Sequence, residues 1–504
     1  MPDPSNDKIQ QTLDHLIDVV PGNDAAEFAI TELDVTGVPV WSVTNWQDDG
    51  EMINGIGYGP TDVRARVGAW AELLEQTASH TGAEHFERRR ASYTQLLREA
   101  GPDEEVVDPR RLRLPAGTPW TPEMEITWVA VRRYRAGVAY DDQPRAWVPI
   151  EAAATHTYDL RLNDGEQPLY QPVSNGNGAG DTDDRALCHG LLELVQRDGN
   201  SAGYRAADRH IRIELDDVRD RQTRALLDRL DAAGIEVIAK LADTNLGMTN
   251  LYVVGHERDP DAAPHPIVLS GCGEAAHPDR EAALQKALLE FCASRVRKLF
   301  THGPLDAMEH LFPDGYLDRF RANPASVEES RSFDDVRRLA HMPADEVMTL
   351  MGKDVFRVDE TVKFSELPTV DPASVDGVET LLAETVRRFD REGLPIYWVR
   401  LLSGDGHAAC KAIVPEMEVE TLTYYRIGRR NLDRLVQRGV DYVGYGHPPS
   451  AASGGRPTAE PVLLPDGAPA WMDRAAVDAT VGDAYCLYRE PEVHAVALAE
   501  LQTA

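Results

Sequence analysis

A chain of 504 residues is too long for one compact core, so two or three packed units are expected. A hydrophobic share of 42% excludes wholesale disorder, and no apolar run reaches the roughly 18–20 residues that a bilayer span needs. The formal charge of −32, from 84 acidic against 52 basic residues, repels phosphate backbones and argues against nucleic acid as a partner.

Arg far outnumbers Lys, a bias that either a high-salt cytoplasm or a GC-rich genome accounts for. The opening Met1-Pro2-Asp3-Pro4-Ser5-Asn6-Asp7 is polar and acidic, unlike a secretory signal, so a cytoplasmic location is expected. Cys188, Cys272, Cys292, Cys410 and Cys486 are far apart without CxxC spacing, which supports neither a zinc site nor a disulfide framework. Cys188 and Cys292 fall in apolar helical patterns and read as buried structural thiols.

In chain order, short apolar runs at Phe28–Ile30 and Val38–Val43 predict strands. Asn54–Thr61 is glycine-rich and reads as a turn before a helix from about Asp62. His85–Glu99 reads as a charged helical stretch, followed by strands at Glu125–Val131 and Ala146–Pro149. A second glycine-rich loop, Ser174–Thr182, precedes a helix over Asp183–Asp198. Strands at Ile235–Leu241 and Leu251–Val254 come next, and Gly271-Cys272-Gly273 leads into a helix over Arg280–Leu299. A late strand is expected at Pro395–Val399. Interleaving of this kind predicts an α/β or α+β class. The linear division is a lead-in over 1–50, a main domain over 51–445, a Pro/Gly/Ala-rich linker over 446–470 and a small C-terminal element over 471–504.

Three helices repeat one idea: a glycine-containing lead-in, then an Ala/Leu-rich helix with an acid on its polar stripe. At about 100° per residue, Gly68, Glu72 and Glu75 share a face opposite Trp70, Leu73 and Leu74. His189, Glu193 and Gln196 repeat the arrangement against Leu191, Leu194 and Val195, and Lys286, Glu290 and Ser294 do so again. For any single Glu, the solvated side of an amphipathic helix is the ordinary explanation. Together, glycine turns with free N–H groups suit phosphate, and converging carboxylates suit Mg²⁺, a hard ion that prefers oxygen. Neither loop fits GxxxxGK[ST] or a GxGxxG turn in its proper context.

From about Asp24 to Glu418 the sequence resembles the YcaO family. The resemblance lies in Gly57-Tyr58-Gly59-Pro60-Thr61 followed by Ala65, Gly68-Ala69, Glu72 and Glu75. It continues in Ser174-Asn175-Gly176, Ala179-Gly180-Asp181-Thr182, Gly190-Leu191, Glu193-Leu194 and Gln196-Arg197-Asp198. A third block is His277-Pro278-Asp279, Ala283-Leu284, Ala287-Leu288, Glu290 and Arg295, with supporting matches at Asp108-Pro109, Trp128–Pro149 and Val414-Pro415-Glu416-Met417-Glu418.

The resemblance implies a YcaO-like fold, with repeated loop–helix units packed on β-sheets around a central ATP site. It also implies an ATP- and Mg²⁺-dependent enzyme that activates a peptide backbone amide, giving an azoline, a thioamide or a related product. By position it implies ATP and phosphate contacts from Gly68, Glu72, Asn175, His189, Arg197 and Arg295, and metal contacts from Glu72, Glu75, Glu193, Gln196 and Glu290. A structural salt bridge is the alternative for either Arg. Tyr58 stands where the family has Lys, Gly68 where it has Ser, and Gln196 where a second carboxylate is usual. These departures leave open a degenerate accessory or binding protein that supports a sulfur-transfer enzyme. Azoline-forming members commonly end in a proline-rich tail, whereas this chain ends Glu500-Leu501-Gln502-Thr503-Ala504, which points toward thioamide formation or another backbone modification with a TfuA-like or other partner; the resemblance implies a TfuA-like or E1-like partner protein. A peptide or protein substrate and a homodimer follow from the same resemblance.

Overall fold

The computed structural model describes residues 4–20, 25–46, 52–322, 329–448 and 458–503. The chain closes two compact units from non-contiguous segments: Met1–Thr77, Tyr204–Thr369 and Asp483–Ala504 form the first, Ala78–Gly203 and Val370–Gly482 the second. This replaces the linear division at 50, 445 and 470. The strands of each unit pair across long sequence separations, so no single cut separates them.

In the first unit, Ala26–Ala29, Val40–Trp46 and Met52–Tyr58 form a three-stranded antiparallel sheet with Met52–Tyr58 at one edge. A five-stranded sheet runs in the order Gly273–His277, Thr249–Glu257, Ile235–Asp243, Ile211–Glu214, Glu360–Lys363, and only the last pair is parallel. Helix Arg280–His302 begins where Asp279 accepts the N–H of Glu281 at 3.0 Å, a carboxylate cap on an otherwise orphaned donor. It buries Leu284, Leu288 and Phe291 with Val253 and Leu251 of the sheet. A second cluster joins Phe28, Phe300, Tyr316 and Phe320 to Cys486, Leu487 and Val496. Asp483–Ala504 is therefore part of this core and not an appendage.

In the second unit, a seven-stranded sheet orders Glu105–Val106, Arg145–Pro149, Glu125–Arg133, Tyr397–Gly404, His407–Ile413 and Asn177–Gly180, with Arg88–Ser92 also paired to Glu125–Arg133. Trp128 and Trp398 are buried on its central strands. Helix Asp183–Asn200 is capped by Thr182, whose hydroxyl accepts the N–H of Arg185 at 3.2 Å. A small sheet joins Val443–Tyr445, Pro469–Asp473 and Ala459–Leu463. Part of the expected 446–470 linker is thus strand, while 449–457 lies outside the described residues.

Three other sequence expectations change. Asn54–Thr61 is mostly strand Met52–Tyr58, and Ser174–Thr182 contains strand Asn177–Gly180. His85–Glu99 divides into strand Arg88–Ser92 and helix Tyr93–Glu99, because Ser92 caps the helix by accepting the N–H of Gln95 and sets its start. Pro266–Ser270 is a buried 3₁₀ turn. Among the described residues, no helix is long and apolar enough to cross a membrane.

Candidate functional site

The glycines expected to cradle phosphate serve packing. A Cβ on Gly57 would lie 2.0 Å from the carbonyl oxygen of Ala65 and the nitrogen of Ala69, and one on Gly55 would lie 2.2 Å from the carbonyl oxygen of Ala69. Strand Met52–Tyr58 therefore sits directly on the backbone of helix Asp62–Glu84. Gly68 faces it from the helix side, its missing Cβ 3.3 Å from the Cα of Gly57, which explains the small residue there. Gly273 lies as tightly on Ala287 and Phe291, and Gly178 on Ala186 and Gly190. An internal repeat of the whole unit is a separate matter from this shared contact.

Such close packing brings helix side chains to the strand's outer edge. The N–H of Ile56 donates to Glu72 Oε2 at 2.9 Å, so an otherwise open donor of an edge strand ends on a carboxylate. Two residues on, the Tyr58 hydroxyl donates to Glu290 Oε2 at 3.1 Å. Burial, then the charge and hydrogen bond of Glu290, then the charge of Glu72 hold the phenol's pKa well above its usual value, with Arg297 opposing. Glu72 and Glu290 thus both act on one hydroxyl in the first unit. Glu75 is partly buried on the helix of Glu72.

Arg295 does not belong to this group. Its Nε and Nη2 donate to Asp34 at 2.9 and 2.8 Å and Nη2 also meets Glu257, all three side chains being enclosed. The salt-bridge alternative is the one the structure shows, and Arg295 leaves the set of phosphate contacts. Ser294, expected on the polar face of the same helix, is buried and accepts the N–H of Cys272 at 3.1 Å.

In the second unit, Glu193 Oε2 accepts the N–H of Gly176 at 3.0 Å, and Arg197 lies 3.6 Å from Glu193 Oε1 one turn further along. Asn175 donates to Glu420 Oε1 at 3.2 Å. His189 is exposed one turn before Glu193. Gln196 is only 4% exposed, more enclosed than Glu193 on the same helix. Position 196 lies about 60° around the helix from position 193, the same offset that separates Glu75 from Glu72. Asp198 and Glu418, both within matched motifs, are structural. Asp198 accepts from the N–H of Glu418 and from Arg430 and Arg434, and Glu418 accepts the N–H groups of Gly428 and Asn431 at the start of helix Arg429–Gln437.

All five cysteines are buried, and burial pushes the thiols of Cys188, Cys272 and Cys292 up to about 12, which leaves those three as thiols. Tyr58 was legible only as a departure from a pattern. Its partner is 232 positions away, and no local spacing announces that bond.

Among the described residues, no group of three or more His, Cys, Asp or Glu side chains stands ready to hold a metal. Mg²⁺ does not require one, since it keeps several waters and takes one or two carboxylates together with phosphate oxygens. The hard oxygen donors of Glu72 and Glu290 fit that pattern.

The sequence model of the YcaO family, described as YcaO cyclodehydratase, ATP- and Mg²⁺-binding, matches residues 56–418. An uncharacterized protein of Methanothermobacter thermautotrophicus is 26% identical over 409 residues, covering 80% of this chain and 91% of that one. An uncharacterized protein from the tfuA 3′ region of Rhizobium leguminosarum bv. trifolii is 30% identical over 139 residues, 26% of this chain and 33% of that one. Two solved structures share the fold. A heterocyclase in complex with substrate and cofactor has a TM-score of 0.60 at 17% identity, over 86% of this chain and 55% of that one, so the match spans about half of its length. YcaO from Methanopyrus kandleri bound with AMPPCP and Mg²⁺ has a TM-score of 0.56 at 19% identity, over 84% and 94%.

Proposed function

Because the chain belongs to the ATP- and Mg²⁺-binding YcaO family, we propose that it uses ATP to activate a backbone amide of a ribosomally made peptide or protein. The observation that carries this reading is that strand Met52–Tyr58 holds acids from two distant helices, Glu72 on the N–H of Ile56 and Glu290 on the hydroxyl of Tyr58, as hard oxygen donors. Glu72, Glu75 and Glu290 are the proposed metal contacts of the first unit. Glu193 is a metal contact and Asn175, His189 and Arg197 are nucleotide contacts in the second, while Gly68 lets the backbone come close.

Bound Mg-ATP supplies a phosphoryl group that converts the amide oxygen, a poor leaving group, into phosphate, a good one. The chain's own part is positioning and charge. Glu72 and Glu193 are each fixed by a backbone N–H, so their carboxylates need little reorganisation when ligands arrive. Arg197, held near Glu193, offers a planar fork suited to phosphate oxygens. The nucleophile comes from outside the three cysteines with raised thiols, either from the substrate's own side chain or from supplied sulfide.

Between the products, the relative from a tfuA 3′ region favours thioamide formation with a TfuA-like partner. The test is ATP turnover to ADP and phosphate in the presence of candidate peptides and partner, with mass analysis of the peptide. Exchange of oxygen for sulfur supports the thioamide, and loss of water supports the azoline. Turnover that is unchanged in Glu193→Ala refutes the assignment. A second reading, a binding scaffold without turnover, is favoured by the enclosed Gln196 where a carboxylate is usual. It predicts peptide or partner binding that survives loss of Glu72 and Glu193.

A further inference from the structure

Asp34 and Glu257 enclose Arg295, but helix Arg280–His302 carries a further arginine on its open side. At 3.6 residues per turn, Lys286, Glu290 and Arg297 fall within a wedge of about 40°, whereas Arg295 stands about 140° from Glu290. Between Phe291 and His302, Arg297 alone is exposed, with 48% of its side chain open. Helical side chains lean toward the N-terminus, so a long one at position 297 reaches back over the turns that lead to Glu290. Its charge is felt there, since it opposes the rise in pKa of the Tyr58 phenol, whose hydroxyl donates to Glu290. Its contact with Glu490 is 3.9 Å, too long for a hydrogen bond, and that carboxylate meets Lys298 at 2.5 Å and His302 at 3.1 Å.

A bound triphosphate brings several negative charges beside Glu72 and Glu290, and a single Mg²⁺ offsets only two of them. A guanidinium adds positive charge in a planar fork that fits phosphate oxygens two at a time. We propose that Arg297 is the phosphate contact of the first unit, in the role that sequence position gave to Arg295: its guanidinium binds oxygens of the nucleotide's phosphate chain. The proposal rests on the reading of Glu72 and Glu290 as holding Mg-ATP, and the experiment separates the two. An ordinary surface ion pair with Glu490 is the competing explanation, and it predicts no change in nucleotide binding.

AMPPCP binding to the full chain is measured by calorimetry at fixed Mg²⁺ for the wild type, Arg297→Ala, Arg297→Lys and Glu72→Gln, at low and high salt, with melting temperatures alongside. Arg297→Ala is expected to weaken AMPPCP binding about 10–100-fold at an unchanged melting temperature, because a hydrogen bond between charged groups is lost while an exposed side chain contributes little to folding. Arg297→Lys is expected to recover part of the loss, as a point charge without the fork. The wild-type affinity is expected to fall with salt more steeply than that of Arg297→Ala. AMPPCP binding by Arg297→Ala that matches the wild type overturns the inference, and a loss in Glu72→Gln then leaves the acids in their role. If neither variant differs from the wild type, the Mg-ATP reading falls and the inference with it. If Arg297→Ala loses affinity only together with melting temperature, and Arg297→Lys restores neither, Arg297 serves the fold and the inference is overturned.

Discussion

The carboxylate of Glu193 takes the N–H of Gly176 at 3.0 Å, and Gly176 makes that donor available by adopting a φ of +92° that side-chain-bearing residues rarely reach. A Cβ at that position would also stand 2.3 Å from the carbonyl oxygen of Ala412. Gly176→Ala is therefore expected to destabilise the protein by roughly 2–4 kcal/mol and to lower turnover through a displaced Glu193. Glu193→Gln keeps the size and an acceptor but loses the charge. Its expected signature is an intact melting curve with ATP turnover reduced by about 100-fold. A Gly176→Ala protein as stable as the wild type contradicts the packing argument.

Gly57 has no such backbone need, only lack of space. Gly57→Ala puts a methyl 2.0 Å from two backbone atoms of helix Asp62–Glu84 and is expected to cost about 2–3 kcal/mol. Gly352→Ala is the control, because a Cβ there meets nothing within 4 Å in helix Ala344–Lys353. A gain of up to about 1 kcal/mol is expected, read by thermal melting.

Arg295→Ala leaves the carboxylates of Asp34 and Glu257 enclosed without their cation and is expected to destabilise the protein by about 3–5 kcal/mol. Because the pair is buried, added salt will not rescue it. A variant that stays folded and loses only nucleotide affinity returns Arg295 to the phosphate contacts.

His494 is enclosed by the rings of Phe300, Phe312, Tyr316 and Phe320, with its Nε2 3.2 Å from the Tyr316 hydroxyl. Burial, assisted by the charge of His302, depresses its pKa from 6.5 to about 3. Across that interval the unfolded chain binds a proton that the folded chain refuses, so stability falls as pH drops below about 6.5. The loss from this group approaches about 1.4 kcal/mol per pH unit. His494→Gln should flatten that slope in denaturant unfolding at pH 4–7 (about 1.4 kcal/mol per unit less). An unchanged slope would mean that His494 titrates normally in the folded protein.

The helices from Asp62, Asp183 and Arg280 were readable because periodic apolar residues fix their buried sides, and Thr182 and Asp279 mark two of the starts. Strands over Glu125–Arg133 and Thr249–Glu257 extended the apolar runs that announced them. The glycine segments were not readable. Gly55 and Gly57 alternate with Asn54, Ile56 and Tyr58, and the same residue type serves a turn or a strand pressed on a helix. Glu72, Glu193 and Glu290 were picked out by sequence pattern, but the donors that fix them come from strand Met52–Tyr58 and from the turn at Gly176, and lie outside any helical spacing. Arg295 shows the limit from the other side: its partners Asp34 and Glu257 are far off in sequence, so a motif position said nothing about enclosure.

The interleaving of the two units also orders their completion during synthesis. The first unit holds Met1–Thr77 and yet draws core residues such as Leu487 and Val496 from Asp483–Ala504. The strand that carries Tyr58 emerges early from the ribosome, but the hydrophobic core it belongs to stays open until the final segment arrives. The second unit has all its segments by Gly482, so the order of the segments lets it close before the first.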